Sequence, residues 1–330
     1  KKLWNTMRFY NPETSIDDSI TKKITKFGKY IDSDKFSEKL FEMQNEDGDT
    51  FLLINPHLTL TVLKSKYCTT KLLKILNGNT NLFLQLYTHN RYYLGDFTRC
   101  KYFDKSFLTD DVGNSMNMIS RMCIDEHDTI LDSIIDLSIC TDDVINFVDK
   151  SNYVPLTYAI MGCNKLTINK LINSKFDLTK SFSHIDNNNR NILMTASLIG
   201  SEILSLIINC KYIIPEMFFH SDKYKHNALI YALNKNVDTI KLIIESSHWC
   251  DELMYYTDID NDFIMIYPYN KPSIVKYLLE SDKCDKHIIT LSNNYGRNCS
   301  HYYAKYNDIS LSYLLESEKC CEEIITHQDN

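Results

Sequence analysis

The chain has 330 residues, of which 44% are hydrophobic and 24% charged, with a net charge of −7 and a pI near 5.8. That balance is globular and lacks the basic footprint expected of a nucleic-acid-binding domain. No apolar run approaches the roughly 18 residues of a membrane span, and Lys1-Lys2-Leu3-Trp4 has no apolar leader segment behind it.

In chain order, residues 16–31 come first. Ile16, Ile20, Ile24, Phe27 and Ile31 form one helical stripe, which reads as the second helix of a partial repeat or cap spanning residues 1–44. From there a pattern recurs. An Asp or Asn stands at Asn45, Asn77, Asp110, Asp149, Asp186, Asp222, Asp258, Asn293 and Asp329, with a period near 36. Such side chains bond to nearby backbone amides and favour turns. Three residues after these anchors come Gly48, Gly113, Gly296, Asn152, Asn189 and Asn261, with Thr80 and Lys225 as exceptions. Gly and Asn are the residues that take a left-handed backbone at low cost.

A first helix is predicted after each turn. Leu52, Leu84, Leu156, Leu193, Leu229 and Met265 sit seven residues past their anchors, and small residues follow at Ser120, Ala159, Ala196 and Ala232. Second helices carry i, i+3, i+4 triplets: Leu131/Ile134/Ile135, Ile168/Leu171/Ile172, Leu204/Ile207/Ile208, Ile240/Ile243/Ile244 and Leu311/Leu314/Leu315. Residues 78–109 are the least regular: Asn81-Leu82-Phe83-Leu84 fits a first helix, but Tyr87 to Phe107 is aromatic and weakly periodic. Asn117 breaks the apolar position of the next repeat. A second signature precedes each anchor, where Phe36, Cys68, Cys100, Cys140, Phe176, Cys210, Cys250, Cys284 and Cys320 follow one another along the array. A short amphipathic segment comes after each.

The fold class expected is all-α, a solenoid of stacked helix-turn-helix repeats of about 36 residues. The array spans 45–330, with repeats starting near 45, 77, 110, 149, 186, 222, 258 and 293 and another opening at Asp329. The stretches Asn152-Tyr153-Val154-Pro155-Leu156-Thr157-Tyr158-Ala159 and Asn189-Arg190-Asn191-Ile192-Leu193-Met194-Thr195-Ala196 carry a resemblance to the ankyrin repeat. That family reads as Asp, Gly three residues on, Thr-Pro-Leu-His opening the first helix, and Ala two residues further. Gly296-Arg297-Asn298-Cys299-Ser300-His301 keeps the Gly and the His and loses the Leu. The connector Ser-x-Lys-Cys, as in residues 65–68, replaces the usual Gly-Ala-Asp. With the Ile/Asn/Lys bias it is similar to divergent ankyrin-repeat proteins of large amoeba-infecting DNA viruses. A short helical turn is expected in place of the ordinary β-hairpin finger. Tetratricopeptide landmarks do not recur.

Eleven Cys and ten His invite a metal site, yet structural zinc needs closely paired ligands, and only Cys320-Cys321 are near neighbours. Phe replaces Cys twice at the recurrent position, so that position wants a buried apolar group. Free Cys at this density also suits a reducing intracellular compartment, whether cytoplasm of an infected host cell or virion. Asp258-Ile259-Asp260-Asn261-Asp262 imitates a calcium loop but lacks its Gly and Glu, having Phe263 and Tyr269 there. No Walker loop, His-Glu-x-x-His or nucleophile elbow is present. No cofactor, no metal and no enzymatic activity are expected, nor a nucleic-acid, membrane or small-molecule partner.

The resemblance implies binding of another protein at the turn tips and the inner face of the first helices. The candidate residues are Tyr153, Asn188, Arg190, Tyr224, His226, Asp260, Asp262, Tyr295 and Arg297. They vary from repeat to repeat while the framework stays, and Tyr and Arg are common interface hot spots. The expected function is a protein-interaction scaffold. The alternatives are the recognition arm of a larger protein, such as a ubiquitin-ligase adaptor, and a self-associating component of a viral particle.

Overall fold

A computed structural model describes residues 18–33, 58–69, 94–111, 116–125 and 128–329, with isolated positions between 36 and 87. The expectations resting on residues 1–4, Ile16, Asn45, Gly48, Leu52, Asn77, Thr80, Asn81, Leu82, Leu84 and Gly113 lie outside these residues, as do the side chains of Ile20 and Ile24. The chain divides into two compact units, one of residues 1–122 and 126–151, the other of 123–125 and 152–330.

In the first unit lie α1 (Asp18–Ile31), α2 (Thr59–Leu63), α3 (Leu94–Thr98), α4 (Ser106–Thr109), the start of α5 (Met118–Ile124), α6 (Asp128–Ile135) and α7 (Asp142–Ile145). Helices α1 and α2 pack together, as do α2 and α3. Phe27 and Ile31 of the first stripe are buried. The weakly periodic aromatic stretch is a cluster: Phe97 meets Phe83, Phe103 and Phe107 at ring-centroid distances of 5.6, 5.6 and 5.4 Å. Aromatic packing of this kind needs no helical period, which is why the stretch reads poorly as sequence.

Asn117 corrects one expectation. It is a buried helix cap, its Oδ1 accepting the Ser120 N–H at 2.7 Å. The corresponding caps Asn191 and Asn227 fall five residues after their anchors, whereas Asn117 falls seven after Asp110. The register here is therefore displaced by two residues. Ser120 lies in the first turn of α5 and Met122 takes the place of the small residue.

The second unit repeats one design. Its first helices are α8 (Pro155–Met161), α11 (Ile192–Ile199), α14 (Ala228–Leu233) and α18 (Cys299–Tyr306); its second helices are α9 (Lys165–Ile172), α12 (Ser201–Ile208), α15 (Val237–Ile244), α16 (Pro272–Glu280) and α19 (Asp308–Glu316). First helices stack α8 on α11 on α14. Second helices stack α9 on α12 on α15 on α16 on α19. Their apolar triplets close the core, with Leu204, Ile207, Ile240 and Ile243 fully buried, as is Leu193 of α11. Each connector holds a third short helix: α10 (Thr179–Ser183), α13 (Glu216–Phe219), the 3₁₀ helix Asp251–Tyr255, α17 (Lys286–Thr290) and α20 (Glu322–Thr326). Among the described residues there is no strand, only the isolated bridges Asp111–Asn117 and Thr257–Phe263.

Asparagine does two jobs at the start of a first helix. Asn191 Oδ1 accepts the Met194 N–H at 2.9 Å, while its Nδ2 donates to Met217 O of the following connector at 2.8 Å. Asn298 likewise caps α18 and reaches Ile324 O at 2.9 Å. A cap that also satisfies a carbonyl of the next layer ties two repeats together.

Two further expectations are corrected. After Asp258 no first helix forms: residues 263–271 run through successive turns, with N–H groups bonding three residues back from Ile266 to Phe263, Tyr269 to Ile266 and Lys271 to Pro268. Pro268 has no N–H and Pro272 disfavours helix in the residue before it, so the run tightens while Phe263, Ile264, Met265 and Ile266 stay buried. The recurrent Cys position is also not one position. Phe36, Cys68, Cys140, Cys284 and Cys320 each close a turn by donating N–H three residues back, and so do Phe103, Ile213 and Trp249. Cys100 and Cys210 open that turn instead, with Phe103 and Ile213 supplying the apolar group, and Cys250 and Phe176 are one residue out of step. The demand for an apolar side chain holds. Phe103 and Ile213 meet it where Cys100 and Cys210 open the turn.

Candidate functional site

The turns between repeats are built from their anchors. Asp186 Oδ1 accepts the N–H groups of Asn188 and Arg190 at 2.8 and 2.9 Å, and Asp222 Oδ1 those of Tyr224 and His226, both at 2.8 Å. Asp258 does the same for Asp260 and Asp262, and Asn293 for Tyr295 and Arg297. Asp258 is thus a turn carboxylate held by backbone amides. Third in each turn is the left-handed residue: Asn152, Asn189, Lys225, Asn261 and Gly296 have φ of 60°, 62°, 59°, 59° and 70°. The predicted backbone is present at the four Asn and Gly positions, and Lys225, an exception in the sequence, adopts it as well.

Successive turns are stitched together. Asn152 Nδ2 donates to Ile185 O at 3.2 Å and Asn189 Nδ2 to Ser221 O at 2.7 Å. His184, His220 and His327, two residues before their anchors, bring Nε2 within 2.8–3.0 Å of the carbonyls of Asn152, Asn189 and Gly296. The Ile259 N–H donates to Tyr224 O, and the Asn294 N–H to Asp260 O.

This geometry sorts the nine predicted residues into two rows. Tyr153, Arg190, His226, Asp262 and Arg297 stand four residues after their anchors and mostly serve the framework. Arg190, with only 16% of its side chain exposed, pairs with Asp186 at 2.8 Å. Burial works against its charge, but the hydrogen bond and charge of Asp186 hold the guanidinium pKa above its ordinary value. His226 lies between two carboxylates, 3.8 Å from Asp222 and 3.8 Å from Asp258. Asp262 accepts from Asn293 Nδ2 at 2.7 Å. Arg297 reaches Asp329 at 3.2 Å, and Tyr153 packs edge-on against Tyr158.

Asn188, Tyr224, Asp260 and Tyr295 stand two residues after their anchors. Tyr224, Asp260 and Tyr295 are exposed and Asn188 is half-exposed. Ile259 and Asn294, also exposed, lie beside them on the same tips. This outer row, together with Arg297, which is also exposed, is the part of the predicted set free to meet another molecule.

Three residues escaped the sequence reading: Tyr231, Tyr267 and Tyr302, nine after their anchors. Tyr231 OH donates to Asp222 Oδ2 at 2.7 Å, Tyr267 OH donates to Asp258, and Asn293 Nδ2 donates to Tyr302 OH at 2.9 Å. Burial first, then the anchor carboxylate, pushes the Tyr231 and Tyr267 phenols up, so both stay neutral donors. Their recurrence at about one repeat length was the available signal. Burial, with Asp258 and Asp260 nearby, also raises the Asp262 carboxyl. Among the described residues no group of three His, Cys, Asp or Glu is placed to hold a metal ion, and no helix is long and apolar enough to cross a membrane.

Neither a family model nor a curated protein matches the chain. Among solved structures, the crystal structure of EF0377, an ankyrin-repeat protein, is similar with a TM-score of 0.50 at 18% identity, covering 61% of this chain and 97% of that one. At that identity the likeness is one of fold. The fold is all-α, an ankyrin-like solenoid of stacked helix-turn-helix repeats.

Proposed function

We propose that this chain is a non-enzymatic scaffold that binds a partner protein along the outer turn row of its second unit, on what corresponds to the concave face of an ankyrin stack. One observation carries the reading. Across three successive turns, Tyr224, Asp260 and Tyr295 are exposed on a backbone held rigid by buried anchors. Exposed aromatic side chains on a preorganised frame lose little entropy on binding. On this reading the protein needs no cofactor, and it works in a reducing compartment of a host cell or in a virion.

Affinity capture from native cell extract, read by mass spectrometry, tests the proposal with Tyr224→Ala/Tyr295→Ala beside the unaltered chain. The proposal expects a partner protein whose recovery falls at least several-fold in the variant. Equal recovery from both would overturn it. Ubiquitin-pathway proteins among the variant-sensitive partners would instead support an adaptor arm. Recovery of this chain alone, unchanged in the variant, would support self-association. Arg190→Glu is unsuitable here, since Arg190 holds the Asp186 turn together.

A further inference from the structure

Three side-chain ties recur between successive layers of the second unit. The left-handed asparagine reaches the carbonyl just before the next anchor, as Asn152 reaches Ile185 O at 3.2 Å and Asn189 reaches Ser221 O at 2.7 Å. A histidine two residues before that anchor meets the left-handed residue's own carbonyl, as His184, His220 and His327 do at Asn152, Asn189 and Gly296. The capping asparagine of a first helix donates Nδ2 to the connector that follows, as Asn191 and Asn298 do to Met217 O and Ile324 O.

All three are absent at the seam between α15 and the 3₁₀ helix Asp251–Tyr255. Lys225 stands in the place of the asparagine and Tyr256 in that of the histidine. Asn227, fully buried, caps α14 by accepting the Ile230 N–H at 3.0 Å, but its Nδ2 has no acceptor among the described residues. A buried donor left without an acceptor weakens the closed interface. Packing changes at the same seam. Helix α16 packs closely on α19 and only lightly on α15, whereas α12 packs closely on α15, and residues 263–271 form turns in place of a first helix. The polar contacts that cross are a long Ile259 N–H to Tyr224 O bond at 3.4 Å, an exposed Lys271 Nζ to Lys235 O bond at 3.2 Å, His226 at 3.8 Å from Asp258, and the Lys241 ammonium 5.5 Å from the Tyr277 ring centre. The next seam also lacks the three ties, but other bonds replace them: Asn293 Nδ2 to Asp262 at 2.7 Å, Asn261 Nδ2 to Asn294 Oδ1 at 2.9 Å, and the fully buried Tyr303 OH to Met265 O at 2.6 Å.

We propose that the seam after α15 is a hinge built into the fold, where the second unit parts into residues 152–246 and 251–329. Ile259 and His226 hold the turn side together, so the opening is on the side of α15 and α16. In a solenoid the coupling between neighbouring layers decides which segments open together. The outer turn row crosses the seam between Tyr224 and Asp260, so opening changes the reach from Tyr224 to Tyr295.

Native-state hydrogen exchange across a urea series tests the hinge. Residues 152–246 and 251–329 should lose protection at two separate urea concentrations, with the break between α15 and the 3₁₀ helix. Lys225→Asn/Tyr256→His supplies the side chains that act at Asn189 and His220. It should bring the two transitions together and slow exchange in residues 251–271 about fivefold or more. Asn227→Ser keeps a capping oxygen and removes the stranded donor, so protection of α14 should not fall, whereas Asn191→Ser should lower that of α11 and α13 about fivefold or more. A single transition over residues 152–329, a break at another seam, or a double variant that leaves both transitions in place would overturn the proposal. So would equal losses from Asn227→Ser and Asn191→Ser, which would mean that Asn227 is tied as Asn191 is.

Discussion

Replacing Asp222 by Ala and by Asn separates the two roles of a turn anchor. In the native turn one carboxylate oxygen accepts two backbone N–H groups at 2.8 Å and the other accepts Tyr231 OH at 2.7 Å. Alanine removes all three hydrogen bonds. Hydrogen bonds to a charged group are each worth about 1.5–3 kcal/mol, and donors near the surface recover part of that from water, so the expected loss is about 2–4 kcal/mol. Asparagine should behave differently, because the chain contains that arrangement already. Asn293 Oδ1 accepts from Tyr295 and Arg297, both at 3.0 Å, and its Nδ2 donates to Tyr302 OH. Asp222→Asn should therefore cost less than about 1 kcal/mol. Urea melts followed by circular dichroism give both values. Equal losses for the two variants, or an Ala variant as stable as the parent, would refute the assignment of these hydrogen bonds to the stability of the turn.

Leu193→Ala and Ile207→Ala should each cost about 2–5 kcal/mol in the same melts, since both side chains are fully buried between layers. Lys225→Gly should stabilise. A left-handed backbone costs an ordinary residue about 1–2 kcal/mol and glycine's lost entropy returns about 0.5–1 kcal/mol, leaving a net gain of about 0.5–1 kcal/mol. Asp262→Asn should raise the melting temperature at neutral pH. The Asp262 carboxyl has a folded pKa above its unfolded one, so folding is penalised once the pH rises through that window. The advantage of the variant should shrink as pH falls below the ordinary carboxylate range, and a pH-independent difference would contradict the cause given.

Much of the fold was legible because the repeat obeys simple local rules. The left-handed residues Asn152, Asn189, Asn261 and Gly296 were found from Asn and Gly, whereas Lys225, an exception in the sequence, takes the same backbone although its side chain argues against it. Helical triplets marked the second helices because each buries one stripe. The errors arose where a local rule had two solutions. Cys100 and Cys210 satisfy the spacing of the turn-closing position but open the turn, because Phe103 and Ile213 three residues later are the better apolar groups. Met265 keeps its buried place while the prolines around it prevent the helix its spacing implied. Asn117 could not be read as a cap while the register was pinned to Asp110.

The candidate site was half legible. Variation from repeat to repeat marked the turn residues, but it could not distinguish a side chain that looks outward from one that bridges two turns. Arg190 and His226 are of the second kind, and only the placement of Asp186, Asp222 and Asp258 reveals it. Tyr231 and Tyr267 were missed because a tyrosine at a position that reads as first helix also reads as core until its hydroxyl is seen to meet a carboxylate.

The most direct measurement is hydrogen exchange of this chain alone and in complex with its captured partner. The account predicts slowed exchange at residues 222–226, 258–262 and 293–297, with the second helices unchanged. Protection confined to α12, α15 and α16, with no change at those turns, would contradict it.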